Sequence, residues 1–380
     1  MILTEEQQMI TETARAFARE VLAPGADRRA REKTIEPEVF TAMADLGFLG
    51  MTVPEEMGGV GADYVSYALA LMEIAAGDGA VSTVMSVHNA PFNAILQRFG
   101  SPEQKSRVLV PSAAGAFIGA FALTEAHAGS DASAIRTRVR REGADYIIDG
   151  DKVFITSGQI AGWVILFARM QGTEGKVGIT AFLTPTDAPG YSVSKVEEKL
   201  GQAASDTCAL RFENLIVPEA MRIGAEGEGY RIALSSLETG RIGIAAQSVG
   251  MATAAFDAAL AYAKERTSFG KPLIEHQAVG FRLADARTRL EAARQLVLHA
   301  ASMKDAGLPC LTEAAMAKLF ASEAAEEIVS AALQTFGGYG YTADFPVERI
   351  YRDVRVCQIY EGTSDIQKML ILRGLVRADG

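Results

Sequence analysis

The hydrophobic pattern of this chain changes its period twice, and these changes limit the folds that it can adopt. Apolar residues recur first at the spacing of helices, then at the two-residue spacing of strands, and finally at helical spacing again. The changes fall near residues 120 and 227. We therefore predict a helical domain at 1–120, a β domain at 121–226 and a helical domain at 227–380. The length of 380 residues supports this division, because it exceeds that of one ordinary domain.

The first domain is predicted to contain several short helices. Thr4, followed by Glu5 and Glu6, is typical of a helix N-terminus, and Pro24-Gly25 is expected to end this first helix. Further helices are predicted over residues 37–46, 64–76, 81–99 and 103–110.

The middle domain is predicted to consist of strands. Asp149-Gly150-Asp151 lies between two apolar runs, 146–148 and 153–155, an arrangement typical of a hairpin turn. Further strands are predicted over residues 137–141, 163–167, 179–183 and 209–217. Short strands that do not alternate with helices favour an antiparallel sandwich or barrel.

The last domain is predicted to be a four-helix bundle. One face of a long helix is marked by Ile242, Ala246, Val249, Thr253, Phe256, Leu260 and Ala263. Further long helices are predicted over residues 277–306, 312–336 and 363–375, with short connections typical of an up-down bundle. The fold class is therefore α+β and multidomain.

Charge and composition exclude several functions. The net charge of −10 disfavours binding to nucleic acid or to anionic membranes. The chain has no charge-free apolar run of 18 residues, so we expect no membrane insertion. The N-terminus lacks the basic and apolar regions of a signal peptide, which favours a cytoplasmic location.

The metal-ligating residue types show no metal-binding spacing. Cys208, Cys310 and Cys357 are far apart, odd in number and not in CxxC pairs, which favours a reducing compartment without disulfides. The histidines are also scattered. We therefore expect no metal site.

Four short segments carry residues suited to chemistry. They are Thr124-Glu125-Ala126-His127-Ala128-Gly129-Ser130-Asp131, Arg266-Thr267-Ser268-Phe269-Gly270 with His276-Gln277, Gln334-Thr335-Phe336-Gly337-Gly338-Tyr339-Gly340-Tyr341, and Ile359-Tyr360-Glu361-Gly362-Thr363-Ser364-Asp365-Ile366-Gln367. In this order they resemble the signature segments of the acyl-CoA dehydrogenase family. The resemblance covers nearly the whole chain and implies that family's fold, with FAD as the cofactor and an acyl-CoA as the substrate.

Glu361 is the candidate catalytic base. Desaturation of a thioester needs a base for the α proton and an acceptor for the β hydride, and a carboxylate suits the first role when burial raises its pKa. The resemblance implies that Glu361 takes the proton while N5 of FAD takes the hydride. Some family members carry the base at the position that Gly240 occupies in this chain. Because glycine has no side chain, it cannot act as a base, and Glu361 has no competitor there.

The resemblance also assigns cofactor and substrate contacts. FAD is expected to contact Phe121, Leu123, Thr124, Gly129, Ser130, Phe154, Thr156, Arg266, Ser268, Gln277, Gln334, Gly337, Gly338, Thr363, Ser364 and Asp365. The substrate is expected to contact Ser130, Glu238, Arg241 and Gly362. In the family, part of the FAD site comes from a neighbouring subunit, which implies a homotetramer arranged as a dimer of dimers. His127 is expected to be exposed and without a catalytic role.

The implied reaction converts a short-chain or short-branched acyl-CoA to the trans-2-enoyl-CoA, with electrons passed to an electron-transferring flavoprotein. Segments 199–208 and 240–245 are similar to those of short-chain members. Fatty-acid oxidation and branched-chain amino-acid catabolism are both compatible pathways. The alternatives are an acyl-CoA oxidase or flavin-dependent hydroxylase of the same fold and, in another class, a non-catalytic helical interaction protein.

Overall fold

The structure, a computed structural model, describes residues 1–378 and consists of helices, then strands, then helices again. The α-helices before the first strand are α1 (Glu5–Phe17), α2 (Ala23–Glu32), α3 (Pro37–Asp45), α4 (Tyr64–Gly77), α5 (Gly79–Val87), α6 (Ala94–Phe99), α7 (Pro102–Gln104) and α8 (Val110–Ala113). Wider π-helical segments lie at Ala18–Leu22, His88–Asn93 and Lys105–Leu109.

The first helix begins as the sequence predicts but does not end where it predicts. The Thr4 side chain accepts a hydrogen bond from the Gln7 backbone N–H, and the Gln7 side chain accepts one from the Thr4 N–H, a reciprocal capping box. The predicted stop at Pro24-Gly25 is wrong. Pro24 lies in the first turn of α2, directly after a π-helical segment, where a missing N–H is tolerated.

The strands form one mixed sheet. They are β1 (Ile118–Ala122), β2 (Arg138–Glu142), β3 (Asp145–Thr156), β4 (Ala161–Met170), β5 (Ile179–Pro185), β6 (Tyr191–Val196), β7 (Thr207–Pro218) and β8 (Arg222–Ile223). Along the sheet the order is β6-β7-β3-β2-β4-β5-β8, with β1 paired to β4. Most neighbours are antiparallel, but β1 and β2 each run parallel to β4.

The hairpin predicted at Asp149-Gly150-Asp151 is absent, because β3 continues through it as one strand. Gly150 lies at an irregularity in the register with β7, where a Cβ would come within 2.8 Å of Thr137 Cα. On β7, Asn214 has a φ of 50° and its N–H donates to the Asp149 carboxylate at 2.7 Å. The Asp-Gly pair therefore serves a β-bulge and not a turn.

The last part of the described chain is helical, as predicted. Its elements are α9 (Gly229–Glu265), the short ribbon β9 (Thr267–Ser268) and β10 (Lys271–Pro272), α10 (Gln277–Asp305), α11 (Leu311–Phe336), α12 (Val347–Val354) and α13 (Ser364–Ala378). Helices α9, α10 and α11 pack against one another, and α13 packs on α11. Residues 379–380 of the predicted third domain lie outside the described residues.

By length and composition, α9 could cross a membrane, and it is the one helix within 1–378 with this property. Its most apolar window of 18 residues is 67% buried inside the protein. The helix packs against α4, α10 and α11, so this burial accounts for its apolar composition.

Three predicted segments are organised around two hydrophobic cores. One core joins the N-terminal helices to the C-terminal bundle, with α9 beside α4 and α5. The other fills the sheet and also takes apolar residues from the His88–Asn93 segment and α6. The predicted α–β–α architecture is confirmed, while the exact domain boundaries stay predictions.

Candidate active site

Glu361 lies in a left-handed turn between α12 and α13. Its φ is 53° and that of Gly362 is 91°. A left-handed φ at a residue other than glycine persists only where contacts hold it. Lys318 Nζ and Gln367 Nε2 each donate to the Gly362 carbonyl at 2.8 Å, and Gln367 Nε2 also lies 3.2 Å from the Glu361 carbonyl oxygen. Side chains from α11 and α13 therefore hold this turn.

The carboxylate of Glu361 is partly buried. Its Oε2 is buried and has no hydrogen-bond partner among residues 1–378. Burial raises the pKa of Glu361 to about 7, while the cations Arg241 and Lys318 favour its ionised form. A carboxyl group with a pKa near neutrality can accept a proton from a weakly acidic carbon and later release it.

Gly240 on α9 faces this carboxylate. A Cβ at this position would lie 2.7 Å from Glu361 Oε2 and 3.1 Å from its Cδ. The missing side chain leaves the space that the carboxylate occupies. Positions 240 and 361, the two places where family members are expected to carry the base, therefore border the same space.

Arg241 and Glu238 lie on the same helix but face different neighbours. The Arg241 side chain is buried, its Nε has no hydrogen-bond partner within residues 1–378, and burial lowers its pKa. Glu238 accepts hydrogen bonds from Lys304 Nζ at 2.8 Å and from Cys310 Sγ at 3.3 Å. Arg241 thus keeps a donor for a ligand, whereas Glu238 is already paired and its contact with substrate stays a prediction.

A buried ion pair supports the loop that follows β1. Lys152 Nζ donates to the Leu123 carbonyl at 2.9 Å and to the Glu125 carboxylate at 2.7 Å. Glu125 also accepts from the backbone N–H groups of Arg136 at 2.6 Å and Thr137 at 2.9 Å. Glu125 belongs to a signature segment that predicts no role for it, and no sequence motif marks Lys152. The available signal was a lysine within an apolar strand, but only the sheet shows its partner.

The candidate flavin contacts Phe121, Thr124, Phe154 and Thr156 meet at the neighbouring ends of β1 and β3. The Val153 N–H donates to the Thr124 carbonyl at 3.0 Å, and Phe121 packs on Phe167. Phe154 has a φ of 59° and is 64% exposed. Core packing does not explain an exposed phenylalanine in this conformation, whereas contact with a planar ring would.

Gly129 and Ser130 lie exposed on the loop after β1. A Cβ at Gly129 would meet no atom within 4 Å, so the space beside it is open. His127 is exposed, as expected, and its Nε2 lies 3.2 Å from the Ala134 carbonyl oxygen.

The loop between β6 and β7 connects the sheet edge with the turn at Glu361. Thr156 pairs with Thr207 at the start of β7. Within the loop, the Gln202 backbone N–H bonds the Asp353 carboxylate, and Gln202 Nε2 lies 3.4 Å from Tyr360 Oη. The candidate flavin edge and the residue before Glu361 are thus joined through one loop.

The first turn of α13 directly follows Glu361-Gly362. Thr363 Oγ1 accepts from the Ile366 N–H at 3.4 Å, and Ser364 Oγ is buried without a partner in the described part of the chain. The N-terminus of this 15-residue helix attracts anions. The Asp365 side chain is exposed and anionic and would therefore repel a phosphate, so its contact with FAD stays a prediction.

A second group of candidate residues lies at the other end of α9. Arg266, Gly337 and Gly338 line an open pocket of about 550 Å³, together with Tyr262, Phe336 and Tyr339. The remaining candidates of this group lie nearby in sequence but do not line the pocket: Ser268, Gln277 and Gln334.

The pocket at Arg266 is remote from Glu361 within one chain. Gly240 contacts the carboxylate, and the 26 residues from Gly240 to Arg266 correspond to about 39 Å at ~1.5 Å per residue along the helix. The structure therefore brings the predicted site residues together in two separate groups and not in one.

Comparison with known proteins identifies the family of this chain. Residues 4–116 match the family described as acyl-CoA dehydrogenase, N-terminal domain, residues 120–215 its middle domain, and residues 227–376 its C-terminal domain. A short-chain specific acyl-CoA dehydrogenase from Clostridium acetobutylicum is 42% identical over 97% of both chains.

Solved structures agree with this result. Butyryl-CoA dehydrogenase from Megasphaera elsdenii is 39% identical over 99% of both chains, with a TM-score of 0.97. A chain in a structure described as the electron transferring flavoprotein of Acidaminococcus fermentans is 43% identical over 99% of both chains, with a TM-score of 0.98.

The chain belongs to the acyl-CoA dehydrogenase family. It is thus one of the FAD-dependent oxidoreductases that act on a CH–CH group. Its own residues fit the cofactor: Phe154 offers an exposed ring, Ser364 Oγ lacks a partner within 1–378, and Arg266 lies beside two glycines that leave room for a ligand.

Proposed function

We propose that this enzyme dehydrogenates a short-chain acyl-CoA between its α and β carbons and yields the trans-2-enoyl-CoA. The observation that carries the proposal is the Glu361 carboxylate, whose Oε2 is buried, whose pKa is raised by desolvation to about 7, and which faces the open side of Gly240. Glu361 accepts the α proton, and Arg241 offers a free donor to the CoA thioester beside it. FAD, when bound, supplies the acceptor for the hydride that leaves the β carbon.

The acyl group is proposed to contain four to six carbons. Two proteins similar to this chain are described as short-chain specific and as butyryl-CoA dehydrogenase. Short branched acyl groups are the alternative, in which case amino-acid catabolism would be the pathway. Steady-state rates with butyryl-, isobutyryl-, 2-methylbutyryl- and octanoyl-CoA, assayed with an artificial electron-accepting dye, separate these substrates. We expect butyryl-CoA to have the highest kcat/KM.

An electron-transferring flavoprotein is the proposed acceptor, because a structure described by that name contains a chain similar to this one. We expect turnover to depend on that flavoprotein or on a dye and to be slow with oxygen alone. Rapid turnover with oxygen would instead assign the enzyme to the oxidases of this fold. We place the enzyme in the cytoplasm, since Cys208, Cys310 and Cys357 are all free.

A homotetramer is proposed to complete the cofactor site. The Arg266 pocket is too far along α9 to join Glu361 within one chain. A neighbouring subunit could bring its own Arg266, Gly337 and Gly338 to the part of FAD that extends beyond the sheet edge. The candidate contacts of Ser268, Gln277 and Gln334 belong to the same proposal.

Replacement of the base tests the central assignment. Glu361→Gln keeps the shape of the side chain but cannot accept the proton, so kcat should fall by a factor of about 10² to 10⁴. FAD content and acyl-CoA binding should be retained. The matched control is Glu348→Gln, which removes a carboxylate paired with Arg352 in the same region and should leave kcat near that of the unmodified enzyme. Normal turnover in Glu361→Gln would refute the assignment.

A further inference from the structure

We propose that Lys318 and Gln367 are positioning residues, which hold the Glu361-Gly362 turn in its left-handed conformation and so aim the Glu361 carboxylate at the substrate. This inference rests on the proposed role of Glu361 as the base. It deepens that role by naming the side chains on which the position and charge of the base depend.

Lys318 is a buried cation with an unusual partner. Its side chain is fully buried on α11, and its Nζ donates a hydrogen bond to the backbone carbonyl of Gly362 at 2.8 Å. Lys152, which is also fully buried, donates to a backbone carbonyl too, but it has the Glu125 carboxylate as an ionic partner. Burial of a cation is unfavourable unless it is paired. The position of this cation at the Gly362 carbonyl therefore indicates that it stabilises the turn.

Gln367 contacts the same turn from α13, the helix that follows it. It is buried on α13, and its Nε2 lies between the carbonyl oxygens of Glu361, at 3.2 Å, and Gly362, at 2.8 Å. The φ values of 53° and 91° reverse the chain direction between the short helical segment at Arg355–Gln358 and α13. Two donors from two helices thus converge on the carbonyl groups of this reversal.

Lys318 differs from Gln367 because it also carries charge. Burial raises the pKa of Glu361, and Arg241 and Lys318 act in the opposite direction. The titratable groups facing this pair come from several elements: Tyr67 on α4, Arg241 on α9, Glu323 on α11 and Cys357 on the segment before the turn. Loss of the Lys318 charge should raise the pKa of Glu361, whereas loss of Gln367 should not.

This difference permits a test that separates charge from geometry. The full-length FAD-loaded protein is compared with its Lys318→Met and Gln367→Met variants. The pH dependence of kcat/KM for butyryl-CoA reports the ionisation of the base in the free enzyme. Exchange of the α protons of acetyl-CoA in D₂O, followed by NMR, reports the base alone, because acetyl-CoA has no β carbon to oxidise.

In Lys318→Met, the acid limb of the profile should move upward by about one pH unit, because the base needs a higher pH to ionise. In Gln367→Met, the limb should stay in place while kcat/KM and the exchange rate fall roughly tenfold. Lys368→Met is the matched control: it removes an exposed cation from α13, beside Gln367, and should change neither quantity.

Wild-type rates and an unmoved acid limb in both Lys318→Met and Gln367→Met would overturn the inference. An equal shift of the limb in Lys368→Met would overturn the charge role of Lys318. Should Lys318→Met fail to fold, Lys318→Arg keeps the charge and should lower the exchange rate without moving the limb. In that case, wild-type exchange rates in both single variants, Lys318→Arg and Gln367→Met, would contradict the inference.

The Glu361→Gln variant separates failure of this inference from failure of the proposed function. Persistent α-proton exchange in Glu361→Gln would remove Glu361 as the base, and the inference with it. Loss of exchange in that variant, combined with wild-type behaviour of both positioning variants, would contradict the inference alone.

Discussion

Gly240 has a role that its residue type alone does not reveal. Within α9 a glycine lowers helix stability by about 1 kcal/mol relative to alanine. In the folded chain it leaves the space that the Glu361 carboxylate occupies, at 2.7 Å from where a Cβ would lie. The local cost to the helix is therefore offset by access to the base.

Gly240→Ala should keep the fold but impair catalysis. The added methyl group would displace the carboxylate, and a shift of about 1 Å at a reacting group can cost about 100-fold in rate. We expect kcat/KM to fall at least tenfold, with flavin content unchanged and no fall in the thermal midpoint, since alanine favours the helix. An unaltered kcat/KM would show that the carboxylate lies elsewhere during turnover.

The sequence names the candidate residues of the site, but it does not give their backbone conformation, burial or contacts. Glu361 follows from its signature segment and from the chemistry of a thioester. Its left-handed φ, its desolvation and the bond from Lys318 to the next residue, Gly362, depend on Lys318 of α11 and Arg241 of α9, both more than 40 residues away in the chain. Lys318 shows no sign of this contact in its own segment.

At the level of helices and strands, local patterns predict where elements lie better than how they connect. The helical segments of the bundle agree with the predicted ranges within a few residues. Pro24-Gly25 and Asp149-Gly150 are residue pairs that usually end a helix or a strand. In the structure, Pro24-Gly25 follows a π-helical segment and Asp149-Gly150 lies at a β-bulge. Both signals report a local irregularity, and only the surrounding packing decides whether the element ends there.

The loop after β1 gives a prediction about stability. Lys152→Met would leave the buried Glu125 carboxylate without its cation. The free energy of unfolding should fall by about 3–5 kcal/mol, and FAD retention should weaken because Leu123 loses its support. Urea denaturation and flavin absorbance after dialysis measure the two effects.

Arg211→Met is the control for this variant. Arg211 pairs with Asp151, the residue beside Lys152, but both partners are exposed, and exposed pairs contribute little to stability. Equal destabilisation by Lys152→Met and Arg211→Met would contradict the importance given to the buried pair.

In the whole molecule, the candidate site draws on all three segments of the chain. Gln202 from the sheet domain, Thr83 from α5 and Gln247 from α9 form a buried hydrogen-bonded network that reaches Tyr360. The proposed base is thus anchored where the three segments meet. The Arg266 pocket, by contrast, lies at the far end of α9, and in the proposed tetramer a partner subunit would bring it to the site.

Arg266→Ala tests this division. If a neighbouring subunit supplies Arg266 to FAD, the variant should lose flavin on extensive dialysis while its unfolding transition stays unchanged, since Arg266 is exposed. Lys264→Ala removes another exposed cation at the same helix end and should retain its flavin. Sedimentation followed at a flavin wavelength should show FAD only in the oligomer. Full flavin retention by Arg266→Ala would argue against the subunit-shared site.

Periodicity and short motifs were sufficient for the order of helices and strands and for the family, and they nominate Glu361 as the base, because these features are encoded by residues close together in the chain. The partners of Lys152, Lys318 and Gln202, the parallel pairings of β4 and the two-core packing came from contacts between distant segments. Such contacts depend on which apolar faces meet and which charges become desolvated. Those conditions arise only when the chain is packed, so no local pattern contains them.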